Sequence, residues 1–196
     1  TFRWPSIESF EEHRLREGSL PHKIPFVLKR DMSHEGEGIY LIRGTSDLEP
    51  ALEDIRRKKD PLFISQEFVP TQGNVLRAVI MGRRAYTYWK RPSVPGDLIT
   101  TIGSGGIIDP DWRPELQERA TSQAGKISRE GATDLAALDF VFPLSDPDPQ
   151  PLLLEINYYF GRRGLGGTLR YYRLLLDAVR EWLETNGLDP ERIRLV

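Results

Sequence analysis

Leu135-Ala136-Ala137-Leu138-Asp139-Phe140-Val141-Phe142, then Pro143-Leu144-Ser145-Asp146-Pro147-Asp148-Pro149-Gln150, then Leu152-Leu153-Leu154-Glu155-Ile156-Asn157: two apolar runs flank a turn rich in Pro and Asp. The pattern predicts an antiparallel hairpin. Side chains alternate along a strand, so Glu155 and Asn157 share a face, and symmetrical pairing across the turn sets Asp139 about opposite Glu155. Like charges directly opposed weaken a sheet, whereas two carboxylates and an amide oxygen make an all-oxygen site suited to Mg²⁺. The alternative is a register shifted by one, which turns one carboxylate to solvent.

Upstream, Trp112, Leu116, Ala120, Ala124 and Ile127 follow a helical period that stops at Gly131. Asn74 to Met81 and Ala85 to Arg91 read as strands joined at Gly82-Arg83, and a Pro/Gly-rich loop runs from Pro92 to Gly106. Downstream, Thr168 can cap a last helix whose apolar stripe is Leu169, Tyr172, Leu176, Val179 and Leu183. Earlier still, Phe26 to Lys29, Ile39 to Ile42 and Leu62 to Val69 are short strands. Between the last two, Ser46-Asp47-Leu48-Glu49 has capping-box form ahead of a stripe of Leu48, Ala51, Leu52 and Ile55. Residues 1–23, mixed and without sustained periodicity, read as a connecting segment. The chain is therefore expected to be α+β, with helices on mainly antiparallel sheets in two subdomains, 24–70 and 71–196.

The 196 residues, 39% hydrophobic with 8 Phe, 7 Tyr and 4 Trp, suffice for a packed core. With 27 Lys and Arg against 29 Asp and Glu, the net charge of −2 lacks the global basic excess of a general nucleic-acid or anionic-membrane binder. The absence of Cys excludes disulfides, zinc-thiolate centres and cysteine nucleophiles, and suits a reducing, cytoplasmic setting. No run approaches the ~20 apolar residues of a membrane span. P-loop, Rossmann and H-E-x-x-H motifs are missing, and His13, His22 and His34 lie in polar sequence.

Lys29 precedes Gly36 and Gly38 in a K-x6-G-x-G arrangement, a cation facing a loop whose glycines leave N–H groups free for phosphate oxygens; the alternative is a solvated edge charge. Arg77, inside the apolar run Val75 to Ile80, is either an outward residue or a fixed anion binder. Lys90-Arg91 is a strand-end basic pair. Arg162-Arg163 sits in Gly161 to Gly167, where glycines can hold open an anion-binding mouth.

Taken in order, these features, with Gln66-Glu67-Phe68-Val69 at a strand end, Gly105-Gly106, Leu138-Asp139-Phe140 and Leu154-Glu155-Ile156-Asn157, resemble the ATP-grasp superfamily, and within it the RimK-type glutamate ligase and glutathione synthetase branch. The resemblance runs from about Ile24 to Gly167. It implies ATP held between two α+β subdomains, with Lys29 on the nucleotide phosphates under a flap at Gly36 to Gly38. Gln66, Glu67, Phe68 and Val69 then line the adenine, and Lys90 also contacts nucleotide. Arg77 and Arg91, with Lys29, serve the transferring group, and Asp139, Glu155 and Asn157 bind Mg²⁺. Val75 and Thr101 stand where the family pattern carries Asp and Asn, and Phe160 where it carries Pro. The activity implied is ATP-dependent ligation of a small-molecule or peptide carboxylate to an amine through an acyl phosphate, helped by an N-terminal domain outside these residues. A kinase of the same fold, or a nucleotide-binding module without turnover, is the alternative. No nucleic-acid or membrane partner is implied, and a homo-oligomer is compatible with the reading.

Overall fold

The computed structural model describes residues 1–31, 38–58, 62–94, 105–143 and 145–192. The chain divides into two compact units, Thr1–Val69 and Pro70–Val196.

The first unit does not begin with a connecting segment. Phe2–Trp4 forms strand β1 and Ile7–Glu17 forms helix α1. Ser6 caps the helix, exchanging hydrogen bonds with Ser9 in a reciprocal box, and Gly18 ends it. The helix buries only Ile7 and Phe10, so its apolar stripe is too sparse to register as a period. Those two residues and Trp4 nevertheless join Phe26, Leu28, Ile42, Leu52, Ile55 and Phe63 in one core. The Trp4 indole N–H donates to Ser65 Oγ at 2.9 Å, which settles a buried donor that would otherwise oppose folding.

Strands β2 (Phe26–Arg30), β3 (Ile39–Ile42) and β4 (Phe63–Glu67) complete an antiparallel sheet in the order β1-β4-β2-β3. Helix α2 (Thr45–Arg57) covers it with Leu48, Ala51, Leu52 and Ile55, the stripe expected from the sequence. The expected Ser46 cap is not formed. The helix starts from Gly44 without a side-chain cap, and Asp47 instead accepts from the Arg43 N–H at 2.8 Å.

The second unit is a five-stranded antiparallel sheet in the order β7-β6-β5-β8-β9: β5 Val75–Met81, β6 Arg84–Arg91, β7 Ile107–Asp109, β8 Leu135–Val141 and β9 Leu152–Asn157. The short edge strand β7 was not expected. Along β5, β6 and β8 the alternation sorts side chains onto two faces. One face carries Leu76, Ala78, Ile80, Trp89, Leu138 and Phe140 and packs on Leu116, Ala120 and Ala124 of helix α3 (Pro114–Gly131), which starts with Pro in the first turn. The other carries Val79, Met81, Tyr88 and Ala137, packed with Leu165 of a short 3₁₀ turn, Arg163–Leu165, and with Tyr171, Leu174 and Ala178 of helix α4 (Thr168–Thr185).

Helix α4 corrects a second expectation. Of the stripe read from the sequence, only Leu183 is buried; Leu169, Tyr172, Leu176 and Val179 are exposed. Tyr171, Leu174 and Ala178 form an apolar set on the opposite side, and that set meets the sheet. A helix apolar on two sides does not announce from its period which side is the core.

Candidate functional site

Strand pairing alone assembles a row of polar side chains on the α4 face of the second sheet. Arg77 on β5 lies opposite Tyr88 on β6 and opposite Asp139 on β8, and Asp139 lies opposite Glu155 on β9. The register of Asp139 against Glu155 is the one the hairpin predicts. Lys90, two residues beyond Tyr88, rises on the same face.

The row closes into a buried ion network. Arg77 forks onto the Asp139 carboxylate, Nε donating to Oδ1 and Nη2 to Oδ2, both at 2.7 Å, and Lys90 Nζ donates to Oδ2, also at 2.7 Å. Asp139 is 1% exposed, and the side chains of Arg77 and Lys90 are 12% and 10% exposed. Short, forked, charge-assisted bonds of this kind offset the desolvation that makes buried charge costly. Burial pushes the Asp139 carboxyl up, but the Arg77 hydrogen bond and the Lys90 and Arg77 charges outweigh it and hold the group below its ordinary value. Burial likewise opposes the charge on Arg77, and Asp139 raises its basicity despite that. Two cations on one anion leave the cluster at a formal +1.

Tyr88 stands beside the network, opposite Arg77. It is fully buried, burial raises its phenol, and its hydroxyl senses the Arg77 and Asp139 charges without a hydrogen bond of good geometry among the described residues. Its ring abuts Gly164: a Cβ built there would fall 2.0 Å from the ring Cζ. The glycine run Gly161 to Gly167 is thus pinned on the sheet through Tyr88. Arg162 in that run stacks on Tyr171 and Tyr172, with its guanidinium carbon 5.1 and 5.0 Å from the ring centroids. Neither Tyr88 nor its contact with Gly164 was singled out from the sequence. The period-2 relation of Tyr88 to Lys90 was the available signal.

Arg91 is not brought to this row. Adjacent strand residues face opposite sides, so Arg91 emerges on the α3 face, where it pairs with Asp109 at 2.7 Å and lies 4.4 Å over the Trp112 ring.

The three residues expected at Mg²⁺ fit that ion unequally. Both Asp139 oxygens already accept from cations, and a divalent ion taken by the same carboxylate would repel Arg77 and Lys90 by about 4 kcal/mol per unit of charge at 4 Å spacing. Glu155 and Asn157 do fit. Asn157 Nδ2 donates to Glu155 Oε1 at 3.0 Å, which leaves the amide oxygen and the second carboxylate oxygen as hard donors. Among the described residues no three acidic or His side chains converge on one point.

In the first unit, Lys29 stands on β2 opposite Ile39 and Ile64, half-buried, on the face away from the core residues Phe26 and Leu28. Gly38, at φ +68°, accepts from the Arg30 N–H at 2.9 Å, and a Cβ there would meet the Arg30 side chain at 3.0 Å. Gly36 lies outside the described residues, as does Thr101. Gln66 donates to Thr1 Oγ1 at 3.1 Å, while its Oε1 is buried without a hydrogen-bond partner among the described residues. Glu67 is exposed at the end of β4, with Phe68 and Val69 half-buried beyond it.

No sequence-family model matches the chain, and no curated protein matches it. Solved structures show the fold, which is the ATP-grasp fold. A RimK domain ATP-grasp protein from Sphaerobacter thermophilus aligns over 91% of this chain and 58% of its own, at 18% identity and a TM-score of 0.56. The ATP complex of a D-alanine-D-alanine ligase from Bacillus anthracis aligns over 99% and 60%, at 15% identity and 0.58. The ADP complex of an N5-carboxyaminoimidazole ribonucleotide synthetase aligns over 83% and 41%, at 16% identity and 0.58. The chain thus spans from 41% to 60% of the length of these proteins. Among the described residues no helix is long and apolar enough to cross a membrane.

Proposed function

We propose that the chain is the ATP-binding catalytic region of an ATP-dependent carboxylate-amine ligase. The observation that carries the reading is the buried pair of cations, Arg77 and Lys90, fixed on one face of a sheet whose fold is shared with a ligase solved with ATP and a synthetase solved with ADP. Fixed cations suit phosphoryl transfer, where charge spreads over the transferring oxygens and the donors need no reorganisation.

In this reading a substrate carboxylate oxygen attacks the γ-phosphorus and the bond to the bridging oxygen breaks, so ADP leaves and an acyl phosphate forms. An amine nitrogen then attacks the acyl carbon, phosphate departs and the nitrogen sheds a proton, which yields the amide. No side-chain nucleophile is required. Lys29 and Lys90 bind phosphate oxygens, and Arg77 orients the transferring group. Glu67, Phe68 and Val69 line the adenine, and the unpaired Gln66 Oε1 is an acceptor suited to its amino group. Glu155 and Asn157 would hold Mg²⁺, which supplies charge neutralisation on the phosphates.

Calorimetry with ATP and Mg²⁺ tests the binding step. Loss of one charge-assisted phosphate contact in Lys29→Ala removes roughly 1.5–3 kcal/mol, so affinity falls more than tenfold. Equal affinity for wild type and Lys29→Ala returns Lys29 to the role of an edge charge. The transfer step is tested with hydroxylamine as the amine and a panel of amino acids and dipeptides as carboxylates. ADP release coupled to hydroxamate supports the acyl phosphate, and ATP bound without any ADP release across the panel counts against it.

A further inference from the structure

The hairpin register sets Asp139 opposite Glu155, the arrangement expected of paired metal ligands, yet the two side chains have different fates. Glu155 is exposed on the edge strand β9 and hydrogen-bonded to Asn157. Asp139 is 1% exposed, and both of its oxygens are taken by Arg77 from β5 and Lys90 from β6. Arg77 and Lys90 share no strand, and both reach the same carboxylate oxygen, Oδ2, at 2.7 Å. Two cations so close repel unless an anion stands between them.

We infer that Asp139 is a positioning residue, the shared counter-ion that lets Arg77 and Lys90 stand together on the sheet face, and that the metal-ligand oxygens are confined to Glu155 and Asn157. The first half of the inference needs no ligand. The second half rests on the proposed function.

Two consequences separate a counter-ion from a metal ligand. Removing a ligand relieves repulsion in the metal-free protein, whereas removing a counter-ion strands buried cations. A counter-ion's loss is also repaired by deleting one of the cations it served, and a ligand's loss is not.

The experiment compares wild type, Asp139→Asn, Asp139→Asn/Lys90→Met and Glu155→Gln. Thermal melts in EDTA come first, followed by titration of Mn²⁺ into each protein saturated with ADP. In EDTA, Asp139→Asn lowers the melting temperature by roughly 10 °C, as expected for breaking a buried pair in a domain of this size, and Lys90→Met restores about half of that loss. Glu155→Gln melts with wild type. With ADP, Mn²⁺ affinity in Asp139→Asn stays within about threefold of wild type, and in Glu155→Gln it falls more than tenfold. Wild-type melting of Asp139→Asn in EDTA, or no recovery in the double variant, overturns the counter-ion role. If Asp139→Asn does not fold, the double variant carries the test, and its failure to fold overturns the role equally. Loss of Mn²⁺ affinity in Asp139→Asn with none in Glu155→Gln overturns the ligand assignment. Wild type that binds no ADP counts against the proposed function, while the EDTA melts still decide the role of Asp139.

Discussion

Adding one methyl group at Gly164 tests whether the glycine run is held to the sheet through Tyr88. In Gly164→Ala the new Cβ would lie 2.0, 2.2 and 2.3 Å from three carbons of the Tyr88 ring. Carbon atoms settle at about 3.5–4.0 Å, so ring and loop must separate by roughly 1.5 Å. The ring has nowhere to retreat, because Tyr88 is fully buried in the cluster with Val79, Met81 and Leu165. Forcing it aside is overpacking, at about 1–3 kcal/mol. Lifting the loop instead exposes Leu165, now 3% exposed, at about 1.5–3 kcal/mol. Either route gives about 2 kcal/mol, a fall in melting temperature of roughly 5–10 °C. The backbone at Gly164 is not left-handed, so the cost is contact and not strain. Gly167 is the contrasting control: at φ +91° with nothing within 4 Å, alanine there costs backbone strain alone. Shrinking the ring in Tyr88→Leu should therefore recover Gly164→Ala and leave Gly167→Ala unimproved, which scanning calorimetry of the double variants reads as non-additivity. A Gly164→Ala protein melting within 1 °C of wild type, or strictly additive with Tyr88→Leu, would refute the clamp.

Lys90 and Arg91 are neighbours with separate outcomes: Lys90→Ala should weaken ATP binding about tenfold in calorimetry, whereas Arg91→Ala, on the α3 face with Asp109 and Trp112, should lower the melting temperature by a few degrees and leave affinity unchanged. The acid limb of stability follows from Asp139. Its folded carboxyl lies below the unfolded value of about 3.9, so the pair's contribution is fully present above that pH and is lost as pH falls through the lower folded value. Asp109, held down by the Arg91 hydrogen bond, acts in the same direction. Urea unfolding between pH 5 and 2 should therefore show a falling midpoint in wild type and a shallower fall in Asp139→Asn; equal slopes would mean that the carboxylate is unpaired in solution.

Much of the fold was legible because it depends on local pattern. Two apolar runs flanking a Pro- and Asp-rich turn specify a hairpin, and the period of two then sets Asp139 against Glu155, as the register has it. The Gly82-Arg83 turn and the stripe of α2 were readable for the same reason. Residues 1–23 show no sustained period because α1 buries two side chains only, and its marks are a cap at Ser6 and a stop at Gly18. What the sequence could not decide was partnership at a distance. Asp139 reads as a metal ligand beside Glu155 until strands β5 and β6 bring Arg77 and Lys90, 62 and 49 residues away, onto its two oxygens. Helix α4 shows the same limit: its period gives two apolar sides, and only the sheet against which it folds chooses Tyr171, Leu174 and Ala178. Alternation and capping act between neighbours in the chain, so sequence alone determines them. Burial and charge pairing act between neighbours in space, and the tertiary structure decides those.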